Sequence, residues 1–260
     1  MICADIDGTL VTNDNVMLKS TARTLKAASD KGIHIVLVSG RPPSGIFYLL
    51  DEAGIDGYVI AFGGAIVKKR GEIAAYEETI PMEDIAEIRL ASLAFGMNLS
   101  IYRGEEHYVE EIDDRVIKEA GIGRTSPIVE PFSVISRHLD AANKLLYLAD
   151  PAALVEFEER IAPRFSGRLN IYRSKPDYLE VCPPRSTKSN AIRRLSELFG
   201  VGMDEVMAVG DNYNDADMLS CAAISVAMGN APDDIKKLCG HVTSSNEEDG
   251  LGEAVRRFVL

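Results

Sequence analysis

Four short apolar runs, each stopping at a polar or glycine-rich turn, constrain the fold of this chain more than any other feature. They are residues 1–4, 33–38, 58–62 and 206–209, followed by Asp5, by Ser39-Gly40-Arg41-Pro42-Pro43, by Gly63-Gly64 and by Gly210-Asp211. The second, IHIVLV, is nearly continuous in β-branched residues, as strands are when a parallel sheet buries both their faces. Helical patterns lie between the runs. After Ser20-Thr21, Leu25, Ala28 and Ser29 share one face, Lys19, Arg23, Lys26, Asp30 and Lys31 lie mostly outside, and Gly32 closes the helix. Similar stretches are expected at 44–53, at 186–199 up to Gly200, from about Asn214, at 231–238, and in a tail carrying Val255, Phe258 and Val259, with further strands at 224–227 and 241–243. Strand, helix, strand is the parallel unit, so the pattern predicts an α/β fold: a Rossmann-like parallel sheet core with helices on both faces.

The middle of the chain departs from this rhythm. Residues 65–80 read as a hairpin around Lys68-Lys69-Arg70-Gly71. A helix is expected at 82–95, with short alternating strands at 99–102 and 107–109. An acidic helix near 111–120 and a proline-containing connection at 125–132 follow. Next come a strand at 144–149, a helix at 151–162 and strands at 168–172 and 178–181. Such local pairing with intervening helices suggests an α+β layer. The expected domains are therefore a core of residues 1–81 and 185–260 and an inserted domain of residues 82–184, bounded by Pro81 and Pro183-Pro184.

With 46% hydrophobic and 26% charged residues among 260, the chain is expected to be an ordered globular protein. A net charge of −12 opposes binding to nucleic acid or to an anionic membrane surface, so a phosphate-bearing substrate would have to be attracted by local charge. No apolar run approaches the roughly 18 residues needed to span a bilayer, and the opening stretch is too short for a secretory leader. Cys3, Cys182, Cys221 and Cys239 form no CxxC pair and read as free thiols of a reducing cytosol, which predicts a cytoplasmic protein. His34, His107, His138 and His241 share no metal-ligand spacing and read as structural or solvent-exposed. Oligomeric state is not legible.

In open α/β sheets ligands sit beyond the carboxyl ends of the strands, and there the chain is unusually polar. If the first strand continued through Asp5-Ile6-Asp7, both carboxylates would face one way and crowd one space, which is costly unless a cation intervenes or one keeps a proton. Asp211 and Asp215, four apart at the end of another strand, would bring the number of carboxylates to four. Such an all-oxygen set suits a hard ion such as magnesium. Asp211 or Asn214 could equally serve as helix caps. Lys188 opens a helix, where the dipole favours anions and a cation gains nothing structurally, although a solvated surface lysine is the commoner case. Ser39 and Gly40 could satisfy a turn, and Gly8 and Thr9 offer successive amides of the kind that hold phosphate oxygens.

Taken together, these residues resemble the haloacid dehalogenase superfamily of phosphotransferases, whose four motifs appear here in order. They are DxDGT at residues 5–9, a strand-ending Ser39, Lys188, and GDxxND at residues 210–215. The insert between the second and third motifs is similar to the family's class II (subtype B) cap, and residues 222–231 and 248–251 are similar to the Cof-type sugar-phosphatase branch. Ser189 stands where glycine is frequent in the family, and Gly63-Gly64-Ala65 where Asn-Gly-Ala is common.

The resemblance implies a magnesium-dependent phosphatase of small phosphorylated metabolites, with sugar phosphates as the expected class. Asp5 would be the nucleophile that becomes an aspartyl-phosphate, and Asp7 the general acid and base. Metal ligation would fall to Asp5, the backbone carbonyl of Asp7, Asp211 and, through water, Asp215. Phosphate oxygens would be bound by Gly8, Thr9, Ser39, Gly40, Lys188 and Asn214. Substrate choice would lie in the inserted domain, with Arg103, Glu105, Arg173 and Lys175 as candidates, each of which also reads as an ordinary solvated charge. A phosphomutase using the same groups, or a metabolite sensor of low activity, are the alternatives.

Overall fold

The structure is a computed structural model that describes residues 1–260. The chain divides into two compact units, one of Met1–Gly40, Ile46–Tyr76 and Thr187–Leu260, the other of Arg41–Gly45 and Glu77–Ser186. The short Arg41–Gly45 segment, expected with the core, groups with the second unit for a local reason. The Ser44 hydroxyl donates to the Gly123 carbonyl at 3.0 Å, and a Cβ at Gly45 would lie 2.9 Å from that same oxygen.

The first unit opens with β1 (Ile2–Asp5), α1 (Lys19–Asp30), β2 (Ile35–Val38), α2 (Ser44–Ala53), β3 (Tyr58–Ala61), β4 (Ile66–Lys69) and β5 (Tyr76–Glu77), where the chain leaves it. Thr21, Leu25 and Ala28 of α1 are buried, and the helix stops where Gly32 adopts a φ of +82°.

The second unit contains β6 (Ile80–Pro81), α3 (Met82–Ser92), β7 (Asn98–Arg103), β8 (Glu106–Val109), α4 (Asp114–Gly123), β9 (Ile128–Val129) and α5 (Phe132–His138). It continues through β10 (Ala141–Ala142), β11 (Lys144–Leu148), α6 (Pro151–Ile161), β12 (Asn170–Lys175) and β13 (Tyr178–Cys182). Six of its strands form a sheet in the order β12-β13-β11-β7-β8-β9, antiparallel except for β8 with β9, while β6 and β10 pair separately. Leu99, Ile101, Leu145, Tyr147, Leu179 and Val181 alternate onto one buried side with Ile85 and Ile88 of α3 and Leu154, Phe157 and Ile161 of α6. Strand β9 lies within the connection expected at 125–132, and α5 follows it in a stretch for which no element was expected. Phe132, Ile135 and the C-cap Leu139 anchor α5 to the core, but seven residues after Pro131 are too short a window for the period to be read.

Back in the first unit, the chain adds α7 (Lys188–Phe199), β14 (Met207–Gly210), α8 (Ala216–Cys221), β15 (Ile224–Ala227), α9 (Asp233–Leu238), β16 (His241–Val242) and α10 (Gly250–Phe258). The sheet order is β16-β15-β14-β1-β2-β3-β4-β5. It is parallel from β16 to β3, and β4 turns antiparallel. Cys3, Val36, Val38, Ile60 and Ala208 share a buried cluster with Ala191, Ile192 and Leu195 of α7, Met218 and Leu219 of α8, and Ile235 of α9. Burying Ile192 and Leu195 stabilises by about 1.5–3 kcal/mol each, which holds the start of α7 at the sheet. The four thiols are unpaired by disulfides; Cys3 and Cys182 are buried, Cys221 and Cys239 half-buried. No helix is long and apolar enough to cross a membrane.

Candidate active site

The site is built at the carboxyl ends of β1 and β14, adjacent parallel strands of the first unit. Strand β1 ends at Asp5, so its alternation does not carry to Asp7. The chain turns at once: the Ile6 carbonyl accepts from the amides of Thr9, Leu10 and Val11 at 3.2, 2.9 and 3.1 Å, and Gly8 takes a φ of +82°. Asp5 is left 4% exposed, whereas Asp7 is exposed. Asp7 thus lies on the turn, beyond the alternation of β1, and its charge still acts on Asp211, raising that carboxyl. A Cβ on Gly8 would collide with the Asp211 carboxylate, so the turn and β14 meet as closely as they do only with glycine here.

Lys188 begins α7 behind the N-cap Thr187, whose hydroxyl accepts from the Asn190 amide at 3.2 Å. Its ammonium lies 2.5 Å from Asp5 Oδ1 and 2.5 Å from Asp215 Oδ1, all three groups being buried. A solvated lysine is thus ruled out. The other oxygen of Asp215 accepts from the Asp211 and Asn212 amides at 3.0 and 3.1 Å, so the turn after β14 ties its own carboxylate in place. Gly210 permits this, since a Cβ there would lie 2.7 Å from that of Asp215. Gly64, with a φ of +119°, likewise leaves room for Thr187, whose backbone nitrogen would be 2.8 Å from an added Cβ.

Burial is the main reason that the Asp5 carboxyl titrates well above its usual range; the like charge of Asp215 adds to it, and Lys188 opposes both. The same two causes, burial and then Asp215, raise Asp211 to about 6 against the hydrogen bond from Thr9. Burial also pushes the Lys188 ammonium down most strongly, yet Asp5 and Asp215 together outweigh it and hold the ammonium above its ordinary value.

Asp5, Asp211 and Asp215 each offer a carboxylate oxygen, and these atoms lie within 4.8 Å of one another. The donor set is all oxygen and anionic, which fits a hard divalent cation. Three carboxylates converge; Asp7, expected to offer its backbone carbonyl to the metal, adds no carboxylate to the cluster. Ser39 is buried at the end of β2, its amide donating to Ile60 and its carbonyl accepting from Gly63, both at 2.9 Å. Gly40 is half-buried beside it, and Asn214 is exposed in the turn before α8. Thr9 is buried and donates its hydroxyl to Asp211 Oδ1 at 3.3 Å. The candidates of the insert are scattered through the second unit. Arg103 on β7 pairs with Glu77, Glu105 is exposed in the β7–β8 turn, Arg173 on β12 pairs with Glu158 at 2.7 Å, and Lys175 sits 4.5 Å from the Tyr178 ring centre. Sequence reasoning assigned no role to Asn230, which donates to the Gly8 carbonyl at 2.9 Å and to Asp211 Oδ2 at 3.4 Å. Its place in the 222–231 stretch, after a strand, was the signal.

Residues 2–255 match the family described as haloacid dehalogenase-like hydrolase. The chain belongs to this family. A Haemophilus influenzae protein provisionally named a phosphatase is 31% identical over 252 residues, covering 96% of this chain and 94% of its own length. A haloacid dehalogenase-like hydrolase of known structure from Bacteroides thetaiotaomicron is 30% identical with a TM-score of 0.92, covering 98% of each chain. The subclass IIB sugar phosphatase BT4131 is 28% identical with a TM-score of 0.82, covering 99% of this chain and 98% of its own. This haloacid dehalogenase-like hydrolase is accordingly a phosphoric monoester hydrolase of a family that generally uses a divalent metal.

Proposed function

We propose that the protein hydrolyses small phosphorylated metabolites, sugar phosphates foremost, through a covalent phosphoryl intermediate on Asp5, with magnesium as its metal. The observation that carries this reading is the buried Asp5 carboxylate, 2.5 Å from the Lys188 ammonium and clustered with Asp211 and Asp215. Magnesium held by Asp5, the backbone carbonyl of Asp7 and Asp211, with Asp215 acting through water, would offset the charge between an anionic nucleophile and an anionic phosphate.

Asp5 attacks phosphorus, the bond from phosphorus to the leaving oxygen breaks, and Asp7 gives that oxygen its proton. Asp7, exposed on the turn, then takes a proton from the water that opens the aspartyl-phosphate, and phosphate leaves. Exposure suits this second role, because the same group must meet both the leaving alcohol and water. Lys188, Thr9, Ser39, Asn214 and the backbone at Gly8 and Gly40 hold the phosphate oxygens, which makes catalysis chiefly a matter of placement and charge.

The second unit acts as the cap that selects the leaving group. The sugar-phosphate class is supported by the 28% identical sugar phosphatase and by a Bacillus subtilis 5-amino-6-(5-phospho-D-ribitylamino)uracil phosphatase, 25% identical. The test is phosphate release from a panel of sugar phosphates with magnesium, using Asp5→Asn as control. Release from at least one member that the substitution abolishes is expected; equal rates in both proteins would overturn the mechanism.

A further inference from the structure

The mechanism above leaves unused the two stretches that resemble the Cof-type branch, residues 222–231 and 248–251. The first leads back to the catalytic turn, and so does the loop just before the second, through Asn246 and Glu247. Asn230 is next to last in the first, and its side-chain amide donates to the Gly8 carbonyl at 2.9 Å and to Asp211 Oδ2 at 3.4 Å. Its Oδ1 accepts from the backbone amide of Asn246 at 3.1 Å. The orientation of this side chain is unambiguous, since a peptide carbonyl can only accept and a peptide N–H can only donate. Asn246 is 4% exposed and donates to the Val11 carbonyl at 3.0 Å and to Asn13 Oδ1 at 3.4 Å. An amide so deeply buried is costly unless its hydrogens are used, and both are.

The loop that carries Asn246 is itself anchored. Asp249, at a φ of +63°, accepts from the Thr21 hydroxyl at 2.5 Å and from Arg256 at 3.0 Å. Glu247 accepts from the Asn13 amide at 2.7 Å.

We infer that Asn230 and Asn246 form a positioning relay through which residues 230–260 hold the 7–13 loop and orient the Asp211 carboxylate. Thr9 takes one oxygen of Asp211 and Asn230 takes the other, so the carboxylate is aimed from both sides. Asn230 fixes the peptide of Gly8, next to Asp7, and Asn246 fixes the return of the loop at Val11. Neither asparagine takes part in the bond changes. The catalytic half of the inference rests on the roles given above to Asp7 and Asp211; the mechanical half does not. Aspartate cannot replace Asn230, because it would set an acceptor against the Gly8 carbonyl and a charge against Asp211.

The experiment uses the full chain with Asn230→Ala, Asn230→Asp, Asn246→Ala and the Asn230→Ala/Asn246→Ala pair, with the exposed Asp234→Asn as control. Hydrolysis of p-nitrophenyl phosphate, magnesium binding by calorimetry without substrate, and hydrogen exchange across residues 8–12 are measured. Each single change is expected to lower kcat and weaken magnesium binding by about tenfold, with KM within about twofold, as losses of groups that orient ligands do. The isosteric Asn230→Asp should not restore either, and it keeps the test decisive if Asn230→Ala folds poorly. The pair should lose little more than the worse single change, whereas independent sites would multiply their losses. Multiplied losses, or wild-type magnesium affinity in both asparagine variants, would overturn the relay. Should the wild type release no phosphate from any ester, the proposed function fails separately; exchange across residues 8–12 then decides, faster in Asn246→Ala supporting the relay and unchanged exchange ending it.

Discussion

At the scale of single residues, Lys188 carries the clearest consequence. It is the cation between two buried carboxylates, and removing one partner of a buried pair leaves uncompensated charge. Lys188→Met is expected to destabilise by about 3–5 kcal/mol at neutral pH in urea unfolding, and part of the loss should return on acidification as the carboxylates take up protons. Asp5→Asn should fold and lose at least about a thousandfold in kcat, as replacement of a nucleophile does. The two glycines after β3 divide on geometry. Gly63, at a φ of +65° with nothing within 4 Å of a Cβ, should accept Asn with a change below about 1 kcal/mol, since Asn tolerates the left-handed region and the space is open. Gly64→Ala would drive a Cβ into the Thr187 backbone and should cost about 2 kcal/mol or more while lowering phosphatase activity, because Thr187 caps the helix that presents Lys188.

Among elements, the β7–β8 hairpin carries a buried titratable group that chemistry does not use. His107 of β8 is fully buried, its ring nitrogens 3.0 Å from the Thr125 hydroxyl and 2.9 Å from that of Ser100. Burial lowers its pKa from 6.5 to about 4. The unfolded chain therefore binds the proton first as pH falls, so stability is whole above 6.5, declines between 6.5 and 4, and below that is reduced by up to about 3 kcal/mol. His107→Gln should flatten this part of the stability–pH curve, read by urea unfolding at pH 4, 5.5 and 7; an identical slope in the variant would contradict it. The elements themselves were legible to different degrees. Strand β15 and helix α2 fall where their patterns put them, because a buried strand and an amphipathic helix leave a period in the residues. The α5 helix and β9 do not, because a seven-residue helix and a two-residue strand are too short to show a period.

For the whole molecule, the two hydrophobic cores are separable. Every residue of the cluster built on Leu145 and Tyr147 lies within Glu77–Ser186, and every residue of the cluster built on Cys3 and Val36 lies in the other unit. A fragment of residues 77–186 is expected to fold alone and unfold cooperatively by circular dichroism; a featureless spectrum would show that its core does not suffice. The sequence by itself determined the parallel layout and the chemistry of the motifs, since strand ends, glycine turns and carboxylates are local signals. Tertiary structure decided which carboxylates share a space. Asp211 and Asp215 reach Asp5 through the pairing of β14 with β1, while Asp7, two residues away, stays exposed on the turn and adds no carboxylate to the cluster. It also decided what Asn230 and Asn246 do. Asparagine is common in loops for reasons of turn geometry, so its type announces no partner, and only the closing of the chain ends around the 7–13 loop brings these amides to the carbonyls they hold.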